Sequence, residues 1–298
     1  MERRLKSTPS RSDTSGSNGA AASNGGNGKV GPLKARQNEI QRLVRARGFV
    51  TIDYLAREFG VTPQTIRRDI NTLSERGLIH RYHGGAGADS STENVAYNER
   101  KVLCYKEKKI IAQMVADNIP DHASLFINIG TTTEAIAQAL CDHKRLRIIT
   151  NNLNVASIMA ANSNFEVIVA GGLVRQRDGG IIGPMTIDFI QQFRVDYGII
   201  GISGIDADGT LLDFDYREVH AARAIIDNSR NVFLATDHTK FGRNAMVRLG
   251  NISEITAVFT DKALPTLLAD VVGATDVKLF VADTGLSKSA APRLRPDG

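Results

Sequence analysis

The sequence predicts an α/β protein in two parts. A winged helix-turn-helix comes first, and a larger α/β domain on a mainly parallel sheet follows. Three observations predict this. Residues 50–69 read VTIDYLAREFGVTPQTIRRD, two short helical patterns joined at Gly60. Beyond residue 102, short apolar runs of strand length alternate with amphipathic helical stretches, the pattern of a sheet covered on both faces. Charge is also uneven: Lys34 to Ala86 holds ten Lys and Arg against five Asp and Glu, whereas Gly87 to Gly298 holds 22 against 25.

Bulk properties narrow the function classes. A chain of 298 residues that is 42% hydrophobic can build an ordinary core. No apolar run approaches the roughly 20 residues that cross a bilayer, and no apolar stretch marks a secretory signal, so a cytoplasmic protein is expected. Cys104 and Cys141 have neither metal-ligand spacing nor a disulfide framework. Two plain thiols, with no metal, are expected.

Taken in order, residues 1–31 are mostly Ser, Gly, Asn and Ala with scattered Arg and Lys. Such a segment has too little apolar surface to offset the entropy of ordering and reads as a disordered basic extension. The winged helix-turn-helix is placed at residues 34–87. Ile40, Leu43 and Val44 recur at helical spacing, and Gly48 stops that helix. A second helix over Thr51 to Phe59 turns Leu55, Ala56 and Phe59 inward, and Gly60 permits a sharp turn. Thr62 then caps a third helix whose first position is Pro63, where a missing N–H does no harm. That helix buries Ile66, Ile70 and Leu73 and ends at Gly77; Leu78 to Tyr82 and the turn at His83 to Ala86 make the wing.

Residues 88–101 are polar and read as a linker. Residues 102–284 form the α/β domain, with strands at 124–129, 146–150, 165–170, 197–202, 231–235, 257–260 and 277–281. Helices lie between most of them, for example at 106–118, 133–140, 153–161, 186–193 and 216–228. Residues 285–298 read as a frayed tail.

On the third helix Gln64, Arg67, Arg68 and Asn71 share the side away from Ile66, Ile70 and Leu73. Gln pairs with adenine N6/N7 and Arg with guanine O6/N7 or with phosphate. Thr65, near the helix N-terminus, suits a phosphate oxygen. Arg81 and His83 of the wing add backbone or minor-groove contacts. An isolated arginine pair is more often a solvated face paired to Asp69 or Glu75. Here the turn glycine, the Thr62-Pro63 cap, the apolar spacing and the local charge agree, and double-stranded DNA is the expected partner.

In the α/β domain, small and polar residues cluster where strands end: Gly130 to Thr133, Asn151-Asn152, Gly171-Gly172, Gly201 to Gly204, and Asp237 to Lys240. Strand carboxyl ends of an open parallel sheet line one crevice, and free N–H groups with hydroxyls at a helix start suit a phosphate. There is no G-x-G-x-x-G and no P-loop, so no nucleotide or other cofactor is expected. The rival reading is an enzyme, with Asp206, Asp215, Glu218, Asp237 and Lys240 as possible acid–base groups. Acidic residues at loop ends are more often caps, and a non-enzyme is preferred.

The runs Asp53 to Ala56, Phe59 to Thr62, Thr65 to Asp69, Gly77-Leu78 and His83 to Ala86 resemble the helix-turn-helix signature of the DeoR family. The resemblance implies a bacterial transcriptional repressor with a sugar-phosphate-sensing C-terminal domain, similar in fold to ribose-5-phosphate isomerase. It is carried further by Gly130 to Thr132, Asn151-Asn152, Gly171-Gly172, Gly201 and Asp237 to Lys240. By resemblance, Gly130 to Thr133 hold the effector's phosphate and Lys240 reaches a ligand oxygen. Where the family often has Ser before that lysine, this chain has Thr239. Arg177 to Gly183, Gly201 to Asp206, Phe214 to Tyr216 and Lys240 to Val247 are similar to the branch that answers to glycerol 3-phosphate. A homo-oligomer, dimer or tetramer, is expected, because helix-turn-helix proteins match paired half-sites.

Overall fold

The computed structural model describes residues 32–47, 49–82, 84–87 and 94–282. The expected basic extension, the tail, Gly48 and His83 lie outside the described residues. Helix α1 (Pro32–Arg47) leads into strand β1 (Phe49–Thr51) and helix α2 (Ile52–Glu58), whose first turn is capped by the Thr51 hydroxyl accepting from the Tyr54 N–H. Gly60 adopts φ +61°, the left-handed conformation that lets the chain reverse before the next helix. Helix α3 (Pro63–Glu75) starts as the sequence requires: Thr62 Oγ1 accepts from the Thr65 N–H, and Pro63 occupies the first turn. Ile40, Val44, Leu55, Ile66, Ile70 and Leu73 close the three-helix core, each contributing about 1.5–3 kcal/mol by burial. Asp69 is also buried, fixed by Arg36 Nε at 2.6 Å and Gln37 Nε2 at 3.2 Å. The wing is β2 (His80–Tyr82) and β3 (Gly85–Gly87), with β3 between β1 and β2.

The expected linker is partly helical. Helix α4 (Tyr97–Val102) occupies its C-terminal half and is followed by α5 (Tyr105–Ala116). Tyr97 explains why: its hydroxyl donates to Glu134 at 2.8 Å and accepts from Asn154 Nδ2 at 2.9 Å, docking α4 onto the α/β domain. Phe49, Tyr82, Val95, Leu103 and Cys104 form a small apolar cluster joining the wing to the start of that domain.

Next come β4 (Ser124–Ile127), α6 (Thr131–Ala139), β5 (Arg147–Thr150), α7 (Leu153–Met159) and β6 (Glu166–Val169). A hairpin of β7 (Leu173–Arg175) and β8 (Gly180–Ile182) and helix α8 (Pro184–Ile190) follow, then β9 (Val195–Ile200). Strands β10 (Gly204–Ile205) and β11 (Thr210–Asp213), helix α9 (Tyr216–Asp227) and strands β12 (Ser229–Ala235), β13 (Val247–Asn251) and β14 (Ala257–Thr260) continue the chain to α10 (Thr266–Gly273) and β15 (Lys278–Val281).

The main sheet has seven strands in the order β15-β14-β12-β9-β4-β5-β6, and every pairing in it is parallel. Successive residues alternate between the two cores. Leu125 and Ile127 enter one, with Ile148, Phe233 and Phe259; Phe126 enters the other, with Ile149, Leu234 and Val258. After β4 the chain runs outward through β5 and β6, then returns through β9 and runs the other way. The crevice at the switch between β4 and β9 is where an open α/β sheet receives ligands.

Candidate DNA-binding surface and anion crevice

Gln64, Arg67 and Arg68 project from α3 into solvent, as do Thr62 and Pro63 at its start and Arg81 of the wing. Among the described residues Arg67 reaches only Gln64, at 3.5 Å. Asp69, the expected competitor for these arginines, is instead occupied by Arg36. Thr65 is half-buried, and its hydroxyl meets that of Thr62 at 3.0 Å, so the two alcohols share the helix start. Asn71 departs from the expected face. It is half-buried, and its Oδ1 is enclosed without a hydrogen-bond partner among the described residues, because α1 and β2 pack beside the C-terminal half of α3. His83 lies outside the described residues, so the exposed basic surface consists of Gln64, Arg67, Arg68 and Arg81 with the helix start.

The crevice lies beyond the ends of β4 and β9. Gly130, Thr131, Thr132, Gly201 and Lys240 line it, together with Arg100, Lys108, Ser203, Asp213 and Glu218. Its volume is about 40 Å³, room for a few waters, since a water needs about 10–15 Å³ of this kind of space. A larger cavity of about 390 Å³ adjoins it and shares Lys108 and Thr131 as walls.

Gly130 precedes α6, so the first N–H groups of that helix face the crevice at its positive end. Lys240 is buried and its ammonium makes no hydrogen bond to another described residue. Burial first, and then the neighbouring cations Arg243, Lys108 and Arg100, bring it down to about 7 although Asp237 favours its charge. Burial likewise lowers Lys108 and Arg100 from their ordinary values. On the acidic side, burial raises Asp213, and burial together with the Asp213 charge raises Glu218 to about 7. Burial of Asp237 is outweighed by Lys240 and Lys108, which with the Thr239 hydrogen bonds hold its carboxylate low. A cluster of desolvated cations, one of them an ammonium with no hydrogen-bond partner among the described residues, suits an anion such as a phosphate dianion.

Several residues expected in the crevice hold its walls instead. Thr133 Oγ1 donates to the carbonyls of Asn128 and Gly130 at 2.9 and 2.7 Å, fixing the turn. Asn151 donates to the Ile181 carbonyl at 3.0 Å, and Asn152 caps α7 by accepting from the Asn154 N–H at 2.9 Å. Gly172 has φ +146°, and a Cβ there would meet Thr186 Oγ1 at 2.3 Å; the Gly171 carbonyl accepts from that same hydroxyl. Asp237 caps the turn that carries Lys240, accepting from the Thr239 N–H at 3.0 Å. None of Thr133, Asn151, Asn152, Gly171, Gly172 or Asp237 lines the crevice. Their strand-end position made them look alike in sequence, but backbone turns use most of their polar groups.

The "DeoR-like helix-turn-helix domain" matches residues 36–92, and the "DeoR C terminal sensor domain" matches residues 103–262. The chain belongs to the DeoR family. Among its DeoR-family relatives, the glycerol-3-phosphate regulon repressor of Escherichia coli (strain K12) is 54% identical over 237 residues, covering 80% of this chain and 94% of that protein. The repressor of the same name from Haemophilus influenzae is 53% identical over 225 residues, covering 76% and 88%. The HTH-type transcriptional repressor CsqR of Escherichia coli (strain K12) is 44% identical over 246 residues, covering 83% and 94%. Among solved structures, ribose 5-phosphate isomerase A from Neisseria gonorrhoeae aligns at a TM-score of 0.34 and 12% identity, over 45% of this chain and 52% of that one; a likeness that distant says nothing of chemistry.

For this DeoR-family chain, sequence reasoning placed Ser203 in the crevice within the Gly201 to Gly204 run but missed Arg100, Lys108 and Asp213. Arg100 sits in the stretch read as a polar linker, and the docking of α4 turns it inward; Lys108 lies on α5, buried at the crevice. Lys108 also donates to the Leu103 carbonyl at 2.8 Å, holding the α4–α5 junction. The fold brings Cys104, Asp237 and His238 together, their potential ligand atoms within 4.8 Å of one another. The setting opposes a metal dication: Lys240 and Lys108 stand by, burial pushes the Cys104 thiol up to about 12, and His238 already bonds Asp261. No helix among the described residues is long and apolar enough to cross a membrane.

Proposed function

We propose that this chain is a cytoplasmic repressor of a carbon-utilisation regulon, released from operator DNA by a small phosphomonoester, glycerol 3-phosphate in the first place. The observation that carries the reading is Lys240: a buried ammonium without a hydrogen-bond partner among the described residues, in the crevice at the ends of β4 and β9. The exposed Gln64, Arg67 and Arg68 supply the DNA side of the argument, and relatives named as glycerol-3-phosphate regulon repressors supply the choice of effector. Release requires the effector to bind the DNA-free form more tightly; a tenfold preference corresponds to about 1.4 kcal/mol. The chain acts as a homo-oligomer that presents two recognition helices to half-sites about 34–36 Å apart.

We read the crevice as a sensor and not an active site. Glu218 has the raised value of a general base, but Arg175 grips it together with Asp178 and Asp215, so it is a member of an ion-pair network. The test is operator retardation at low salt with increasing glycerol 3-phosphate and, separately, glycerol. Release by the phosphate ester alone is expected. No retardation, release by glycerol as readily, or turnover of ribose 5-phosphate by the purified chain would overturn the reading.

A further inference from the structure

We propose that Arg243 is the positioning residue that couples the crevice to the DNA-binding wing, through a clasp of Asp213, Ser203, Asn94 and Tyr82. The proposal rests on the sensor reading above and names the contacts that transmit its signal.

Arg243 is buried, yet no carboxylate faces it within ion-pair distance among the described residues. Its guanidinium lies 4.8 Å from the Phe214 ring centre and 5.8 Å from that of Tyr82. Phe214 follows the crevice strand β11, and Tyr82 belongs to β2 of the wing, so one planar cation bridges the two parts of the molecule. Its arms are directed as well. Nη2 donates to Asn94 Oδ1 at 2.9 Å, and Nη1 donates to the Ser203 carbonyl at 3.3 Å. Asn94 closes the ring by donating from Nδ2 to Ser203 Oγ at 3.3 Å. Ser203 Oγ donates in turn to Asp213 Oδ1 at 3.0 Å, and both residues line the crevice.

The Ser203 hydroxyl has a single proton to give. In the open crevice it goes to Asp213. A phosphate dianion arriving beside Arg100, Lys108 and Lys240 competes for that proton and repels the Asp213 carboxylate. Turning of the Ser203 side chain about its Cα–Cβ bond toward the ligand carries Oγ away from Asn94 Nδ2, and Asn94 then holds Arg243 less firmly against Tyr82. The arginine is thus the last fixed point before the wing. His80 meets Tyr82 edge-on at 5.1 Å between ring centres, and Arg81, between them in the chain, is exposed on the expected DNA-facing side.

The experiment uses the full-length chain as wild type, Arg243→Ala, Arg243→Lys and Asn94→Ala. The DNA is a duplex that the wild type selects from a random library. Operator affinity is measured with and without saturating glycerol 3-phosphate, and affinity for glycerol 3-phosphate by calorimetry without DNA. In the wild type the effector weakens operator binding tenfold or more. In Arg243→Ala both separate affinities stay within about threefold of wild type, while the effector's influence on operator binding falls below twofold; Asn94→Ala does the same. Arg243→Lys, which keeps charge without the planar stack, recovers only part. Full coupling in Arg243→Ala and Asn94→Ala overturns the proposal. Asn94, half-buried, provides the variant if Arg243→Ala does not fold. Hydrogen exchange supplies a readout that needs no effector: Arg243→Ala, or Asn94→Ala in its place, speeds exchange at the Arg81 and Tyr82 amides, and unchanged exchange there also overturns it. Should glycerol 3-phosphate fail to release the wild type, the sensor reading falls, and the clasp stands or falls on the exchange data.

Discussion

Replacing Lys240 by Gln should change how effector affinity depends on pH. Burial holds the Lys240 ammonium at about 7 in the open crevice, so its protonated share falls from about a half at pH 7 to about a tenth at pH 8 and about a hundredth at pH 9. A phosphomonoester has its second ionisation near 6 and is almost wholly a dianion across that range. The dianion favours the charged lysine, so binding above neutrality draws in a proton, and affinity falls as pH rises. Lys240 alone accounts for about a fivefold loss between pH 7 and 8 and about tenfold more to pH 9. Glu218, brought up to about 7 by burial and by Asp213, ionises over the same interval and repels the ligand, steepening the fall. In Lys240→Gln one charge-assisted contact of about 1.5–3 kcal/mol is gone, so affinity at pH 7 drops roughly 10- to 150-fold and only the Glu218 share of the pH dependence remains. Calorimetry with glycerol 3-phosphate in buffers of different ionisation enthalpy measures both affinity and proton uptake. Equal pH slopes in wild type and Lys240→Gln, or no proton uptake by the wild type at pH 8, would refute the reasoning.

Arg67→Ala with Arg68→Ala should weaken operator binding at least about 100-fold, each lost base or phosphate contact costing about 1–3 kcal/mol, while effector-induced stabilisation in a thermal-shift assay is unchanged; loss of both properties would mean the arginines support the fold. Asp69→Ala strands Arg36 without its carboxylate and should destabilise the winged-helix part by about 3 kcal/mol, the low end for a broken buried pair because Arg36 keeps some solvent, seen as a lower urea midpoint. Gly172→Ala drives a methyl into Thr186 Oγ1 and the Ile182 carbonyl and should cost about 1–3 kcal/mol, with a lower melting temperature by calorimetry and operator binding retained at 10 °C or about that temperature; an unchanged melting point would show that the loop gives way freely.

The parts legible in the sequence were those whose signal is local. Gly60, Thr62 and Pro63 declare the turn and the start of α3 within a few residues, and the unbroken apolar run Leu125 to Ile127 declares a strand buried on both faces. Gly130 to Thr132 and Lys240 could be placed at one crevice because parallel strands carry their ends to the same side. What escaped depends on distant partners. Tyr97 makes a helix of the supposed linker only because Glu134 and Asn154 receive it. Arg100 becomes a crevice cation as a result. Strands β7, β8, β10, β11 and β13 also escaped; they pair antiparallel in two small sheets apart from the main one. Asn151, Asn152 and Gly172 misled for the opposite reason: a residue that shapes a loop and one that touches a ligand occupy the same place along the chain.

The switch between β4 and β9 divides duties in a way that bears on redesign. The mouth residues that follow β4, β9 and β12 sit on separate connections, each anchored to a strand of the main sheet whose own side chains point into the two cores. Exchanging those connections therefore alters what the pocket admits without disturbing the apolar layers that keep the protein folded. Chimeras that graft mouth loops from one sensor of this build onto another should stay soluble while their preferred trigger molecule changes.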